Sequence, residues 1–396
     1  MQTRFASSLS IADEADRAVG ETVEALLEGL GGTSPDLLAF FVSHHHGSAL
    51  EELGARLKTA TGARVLCGCT GESIVGNARE IERGPALSVW GGVLPGTSLT
   101  PFYTRASQDE DGVVFSPLPE IRDRTRAGLL LLGDPFTFPM APYLRHLNER
   151  LPGVPAVGGM ASGGAGPGQN LLFLDGELRA EGAVGVAVEG AIEILSVVSQ
   201  GCRPVGEPFV VTACNGQRIT RLGGQPATEV LLSTLKALPE DERGMLQNQP
   251  FLGLAVDARK STFERGDFLV RGIVGLDTHQ SAILVSDETV RRGMTVQFLV
   301  RDAGSANDDL VQLLRERGDK AVEDEPGAVG ALVFSCNGRG SRMFDQPDHD
   351  IGCVQNAFTG ELPAAGFFAM GEIGPVGGQN FLHGFTASVA LFRERD

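Results

Sequence analysis

Positive charge is in short supply in this chain of 396 residues: 33 Lys and Arg stand against 50 Asp and Glu, for a net charge of −17. Nucleic acids and anionic membrane surfaces are both held by Lys/Arg faces, so neither is an expected partner. Long apolar runs are also missing, and none approaches the roughly 18 residues of a membrane span. Residues 1–10 have no apolar stretch of the kind a secretory signal needs. There are only six cysteines and no CxxC pair, which excludes a disulfide framework and points to a reducing cytoplasm. Aromatic residues make up 6%, with one Trp and two Tyr. What the chain has in quantity is glycine, 53 residues, much of it in short clusters after apolar runs. That is the pattern of tight turns where backbone approaches backbone or ligand. With 42% hydrophobic and 21% charged residues the chain is not disordered, and its length suits two or three domains.

The periodicity predicts alternating strands and helices. Ala15, Ala18, Val19, Thr22, Val23, Leu26, Leu27 and Leu30 lie on one helix face, closed by Gly31-Gly32, with Ser10 and Asp13 in a weaker form of capping-box spacing. Leu37 to Ser43 reads as a buried strand. A helix from Ser48 follows, with Glu51 completing a capping box, and then a second strand, Arg64 to Cys67. This unit recurs about 91 residues later, with Leu129–Leu132, Pro139–Asn148 and Pro155–Val157 as strand, helix and strand. Asp175-Gly176 and Glu189-Gly190 are expected turns between later strands, and Asn215-Gly216 an expected type I′ hairpin turn. An ungapped match joins Pro155–Pro167 to Pro363–Pro375, and both copies continue as Gly-Gln-Asn, at Gly168-Gln169-Asn170 and Gly378-Gln379-Asn380. The segment Ser199–Pro208, with two prolines and two glycines, is the expected domain boundary.

Chemistry-bearing residues gather at the glycine clusters. Cys67-Gly68-Cys69-Thr70-Gly71-Glu72 ends a strand with a thiol, a hydroxyl, a carboxylate and free backbone N–H groups. The alternative is a tight turn around a buried cysteine. Gly159 and Ser162 belong to an equivalent loop, and Glu372 to a third. Cys336-Asn337-Gly338-Arg339-Gly340 follows another strand, where Arg339 suits a carboxylate, either a ligand's or a structural Asp. Neither GxGxxG nor a P-loop occurs there, so nucleotide binding has no support. Cys69 or Cys336 would act as a nucleophile only beside a base such as His383. A metal site on Cys67 and Cys69 lacks two further ligands at suitable spacing, and no metal or cofactor is expected. The run His44-His45-His46 is expected at a solvated loop end. All four loops are expected to line one ligand cavity, with Arg339 meeting a carboxylate and Glu72 or Glu372 an ammonium.

The same residues resemble the FIST family of sensory domains. Its N-terminal domain has a GC[ST]GE loop after a strand, seen here at Cys67–Glu72, behind an Ala/Leu-rich helix and a GG-led strand, seen at Ala15–Ser43. Its C-terminal domain opens with an NG-type hairpin and a helix start like Gly224-Gln225-Pro226-Ala227-Thr228-Glu229-Val230. It closes with CNGRG, a GF–GEIGP segment and HGFTA, seen at Cys336–Gly340, Gly366–Pro375 and His383–Ala387. The resemblance implies small-ligand binding, of an amino acid, in intracellular signal transduction. Asn380 and His383 join the candidate ligand residues with Cys67, Gly68, Cys69, Thr70, Gly71, Glu72, Gly159, Ser162, Cys336, Asn337, Arg339 and Glu372. No output segment accompanies the two domains, so a separate signalling protein is the expected partner. The expected fold is α/β (α+β): two packed, pseudo-symmetric domains, 1–200 and 205–396, built of repeated β-α-β-turn-β units with mixed sheets covered by helices. The rival functions are a cysteine-dependent transferase or hydrolase using Cys69 or Cys336, and a protein-interaction scaffold.

Overall fold

Three buried runs, LLAFFVS, AGLLLLG and GALVFSC, form the strands Leu37–Ser43, Ala127–Gly133 and Gly330–Cys336. Each is apolar except for Ser43 and Ser335 near two of the strand ends, because it is covered on both faces, as central strands of helix-backed sheets are. The structure, a computed structural model, describes residues 2–109, 112–257, 260, 263, 266–318 and 328–395. Each run is followed by a helix and a second strand that pairs with it in parallel. The helices are Leu50–Thr61, Met140–Arg150 and His349–Asn356. The second strands are Val65–Gly71, Ala156–Met160 and Ala364–Ala369. The fold is therefore mixed α/β, and the expected repeat is present in three copies.

The three copies build three six-stranded sheets of one strand order. An edge strand (Arg4–Ser10, Thr97–Thr104 or Ile192–Gln200) is followed by an antiparallel neighbour (Leu87–Val93, Ala183–Gly190 or Thr386–Glu394). The parallel pair comes next, and a hairpin ends the sheet. That hairpin is not the sheet's own. The hairpin after Val65–Gly71 (Ile74–Gly76, Arg79–Ile81) joins Ala364–Ala369. The one after Ala364–Ala369 (Glu372–Val376, Gln379–His383) joins Ala156–Met160. The one after Ala156–Met160 (Leu172–Leu174, Glu177–Arg179) joins Val65–Gly71. This cyclic exchange brings three strand exits together.

Inner faces of the three sheets share one core, with Phe41, Phe334 and Phe367 in mutual ring contact at 5.2–6.1 Å. Each outer face has its own helical cover. Leu26, Leu53 and Leu57 cover the first sheet, Tyr143, Leu144 and Leu147 the second, and Leu310, Leu314, Ile351 and Val354 the third. One glycine recurs in the second strand of each pair. A Cβ on Gly158 or Gly366 would lie 1.8 Å from the carbonyl oxygen of Leu131 or Val333, its register partner, and one on Gly68 would lie 2.4 Å from that of Phe40. Only glycine permits that approach. It explains why Pro155–Pro167 and Pro363–Pro375 match: each holds a second parallel strand and its exit.

Contact density divides the chain into Met1–Val198 with Leu310–Leu382 and Thr386–Asp396, and a smaller unit, Ser199–Asp309 with His383–Phe385. All three repeats lie in the larger unit. The smaller one falls, in sequence, between the edge strand and first parallel strand of the third repeat, and is a seven-stranded sheet with the helices Ala227–Ala237 and Glu240–Asn248. The first junction falls between Val198 and Ser199, so the segment Ser199–Pro208 lies within the smaller unit, where the backbone is strand from Cys202 and not a linker.

Several local expectations are corrected. Ser48 and Glu51 make no capping box, because a 3-10 stretch, His44–Ala49, with Gly47 at φ 57° leads into the helix. Ser10 does not cap the first helix, Ala15–Gly29; its hydroxyl donates to Glu21 at 2.5 Å. Asp175-Gly176 is a turn with both φ values positive, as type I′ requires. In the Asn215-Gly216 hairpin only Gly216 has positive φ, and pairing of Asn215 with Arg218 makes Gly216-Gln217 the turn pair. Glu189-Gly190 does not join a hairpin, since the strands around it belong to different sheets. Asn170 precedes a hairpin while Asn380 lies in the second strand of another, so the Gly-Gln-Asn copies are not structurally equivalent.

Candidate functional site

Parallel β-α-β pairs leave their carboxyl ends on one side, where ligands of α/β sheets collect. Here the hairpin exchange draws three such ends together. Ser162, leaving the second repeat, is the hub. Its hydroxyl accepts from Glu72 N (2.8 Å) in the first repeat and donates to the Phe368 carbonyl in the third. Its own N–H donates to Thr70 O at 3.2 Å, and its carbonyl meets His44 Nε2 at 3.0 Å. Met160 N donates to Gly371 O (2.8 Å), Met370 N to Met160 O (3.0 Å), and Asn337 N to Ala369 O (3.0 Å). The segments Gly68–Glu72, Gly158–Gly164, Cys336–Gly340 and Met370–Gly374, expected as loops but in large part strand, thus adjoin one another.

A charged layer lies at the accessible side of this cluster. Arg342, just past the CNGRG segment, donates to Glu72 Oε1 at 2.5 Å and to the Asn337 carbonyl at 2.7 Å. The two side chains keep 57% and 36% of their exposure, so this ion pair is within reach of solvent. Arg342 was not singled out in the sequence; its one signal is its place three residues beyond Arg339.

A second layer is buried. Arg339 is 0% exposed, and its Nε and Nη2 fork onto both oxygens of Asp350 at 2.7 and 2.8 Å. Ser335 and His349 also bond to Asp350, and the guanidinium lies 5.1 Å from the Phe344 ring. Burial opposes ionisation of Asp350, but the Arg339 charge prevails and holds the carboxyl below the usual range. The structure therefore assigns Arg339 to a structural Asp. Glu372 is also 0% exposed. Thr386 donates to its Oε2 from N (3.1 Å) and Oγ1 (2.7 Å), and burial pushes its carboxyl up to about 8. Glu80 is likewise pushed up to about 8, by burial and then by the Asp350 charge. Among the described residues, Arg339 Nη1, Glu372 Oε1 and Asn337 Oδ1 are buried without a nitrogen or oxygen partner. Cys336, half-buried at the strand end, lies in this group, its thiol hydrogen-bonded to Glu372.

Other candidate residues have internal tasks. Cys67 and Cys69 are buried within the strand Val65–Gly71, not in a loop. Burial pushes the Cys67 thiol up to about 12 and that of Cys69 well above its ordinary value, so neither is a nucleophile at neutral pH. Gly68 and Gly71 are buried strand residues. The Thr70 hydroxyl accepts from Leu171 N at 3.0 Å. Gly159 pairs with Glu372 across the sheet. Asn380 clamps the second repeat: Oδ1 accepts from Ala156 N (2.8 Å) and Nδ2 donates to Val154 O (2.9 Å). His383 is buried and groups with the smaller unit. In the histidine run only His45 is exposed; His44 is half-buried against Ser162 and His46 is buried. Among the described residues no group of three His, Cys, Asp or Glu is placed to hold a metal ion, and no helix is long and apolar enough to cross a membrane.

Comparison with known proteins covers most of the chain. The FIST N domain matches residues 36–225 and the FIST C domain residues 227–375. Their junction falls at Pro226, ahead of the helix Ala227–Ala237 in the smaller unit. A Mycobacterium tuberculosis (strain H37Rv) protein named only as uncharacterized is 40% identical over 391 residues, 98% of this chain and 99% of that one. Another, from Mycobacterium bovis, is 39% identical over 381 residues, 96% of each chain.

Proposed function

This chain belongs to the FIST family, with the N and C domains of that family in one polypeptide, and from that membership we propose that it is a sensory protein binding a small zwitterion, an amino acid. FIST domains are associated with sensory roles in signal transduction. The observation that supports an amino acid is the half-exposed Arg342–Glu72 pair at the meeting point of the strand exits. An amino acid's carboxylate replaces Glu72 on the Arg342 fork while its ammonium takes the Glu72 carboxylate. Every charge keeps a partner through the exchange, which avoids the cost of stranding one. In this reading Arg339 and Glu372 support the loops from below. A separate cytoplasmic signalling protein would receive the change in loop position. A thermal-shift screen against the amino acids tests the reading. A true ligand at about 100 times Kd adds roughly 2.7 kcal/mol of stability, and a screen in which no amino acid raises Tm at millimolar concentration contradicts it.

A further inference from the structure

Of the six cysteines, Cys336 alone stands at the carboxyl end of a first parallel strand, and it is half-buried where Cys67 and Cys69 are sealed. The Gly338 backbone N–H points at its sulfur at 3.5 Å. The Arg339 and Arg342 guanidiniums both lie within electrostatic reach of that sulfur. An N–H donor and two cations are the surroundings that favour a thiolate. Beside the thiol, two buried polar atoms, Arg339 Nη1 and Asn337 Oδ1, have no hydrogen-bond partner among the described residues, while the Glu372 carboxyl has Thr386 and the thiol itself as partners. Buried polar atoms are ordinarily paired, so this cluster is fitted to receive a small polar molecule.

We propose that Cys336 is a redox-reactive thiol, oxidised to the sulfenic acid by a small hydroperoxide held between Arg339 Nη1 and the Glu372 carboxyl. The thiol first releases its proton to solvent. The thiolate then attacks the terminal oxygen of the hydroperoxide; an S–O bond forms and the O–O bond breaks. Sulfur is oxidised by two electrons and the peroxide reduced by two. The departing oxygen takes the proton of Glu372 and leaves as an alcohol, or as water from hydrogen peroxide. Glu372 then recovers the proton the thiol released. Burial keeps Glu372 protonated at neutral pH, which suits a proton donor. Sulfenic acid is reversible by thiols, as a sensory change needs to be. The proposal goes beyond amino-acid binding and stands whether or not Arg342 and Glu72 hold a ligand.

The test uses the full chain, treated with hydrogen peroxide and trapped with a sulfenate-specific dione, with the adducts mapped by mass spectrometry. Cys214 and Cys353, also half-buried, are internal controls in the same molecule. The expected result is labelling of Cys336 at least about tenfold faster than either control, as for an activated thiolate. Labelling of Cys336 no faster than Cys214 overturns the proposal. Glu372→Gln separates proton donation from mere accessibility. It is expected to slow oxidation by about tenfold more than it changes alkylation by iodoacetamide, which expels iodide and needs no acid. Equal slowing of both reactions, or of neither, contradicts the role given to Glu372.

Discussion

Glu372 shows how far a residue's role depends on its surroundings. Its carboxyl sits at 0% exposure with Thr386 on one oxygen and is pushed up to about 8 by burial. The folded state therefore holds a proton that the unfolded state releases near 4.5. The stability this proton supplies is complete below about 4.5 and is lost as pH rises to about 8. Denaturant unfolding of the wild type and Glu372→Gln from pH 5 to 8 checks this. Relative to the glutamine variant, the wild type is expected to lose stability with rising pH, at no more than about 1.4 kcal/mol per unit. A constant difference across that range contradicts the account. In the sequence, Glu372 and Glu72 look alike, each after a glycine in a glycine-rich segment, yet one is buried and the other partly exposed. The same holds for Arg339 and Arg342. Which of two neighbouring arginines faces Asp350 is decided by a helix beginning at His349, and that contact leaves no trace in periodicity.

At the scale of elements, the parallel strands and their helices were legible because burial on both faces forces nearly continuous apolar runs, as in residues 37–42 and 330–334. The exchanged hairpins were not. Ile74–Gly76 and Arg79–Ile81 are three residues each, too short for a period-2 signal, and they pair with a strand nearly 300 residues away. The edge strand Arg4–Ser10 was also hidden, since its serines bury their hydroxyls through hydrogen bonds such as Ser7 to Asn77. Ser162 ties the hairpin exits together and is 0% exposed. Ser162→Ala leaves the Glu72 N–H and the Phe368 carbonyl without their partner. The expected loss in urea unfolding is about 1–3 kcal/mol. A change below about 0.5 kcal/mol, the size of a neutral surface substitution, would show that the hub carries no such weight.

For the molecule as a whole, the three copies of one β-α-β unit explain why glycine clusters far apart in sequence meet. The 91-residue recurrence and the Pro155/Pro363 match each exposed one pair of copies. The exchange that makes them a cycle came only from strand order. The central claim is that the meeting point, at Arg342 and Glu72, is where a zwitterion is sensed. Titration calorimetry of the amino acid selected by thermal shift, against wild type, Arg342→Ala and Glu72→Gln, tests this most directly. Either substitution is expected to weaken binding several-fold, about 1 kcal/mol for a pair this open to solvent, because each strands one end of the ligand. Affinity unchanged in Arg342→Ala, in protein that remains folded, would contradict the claim.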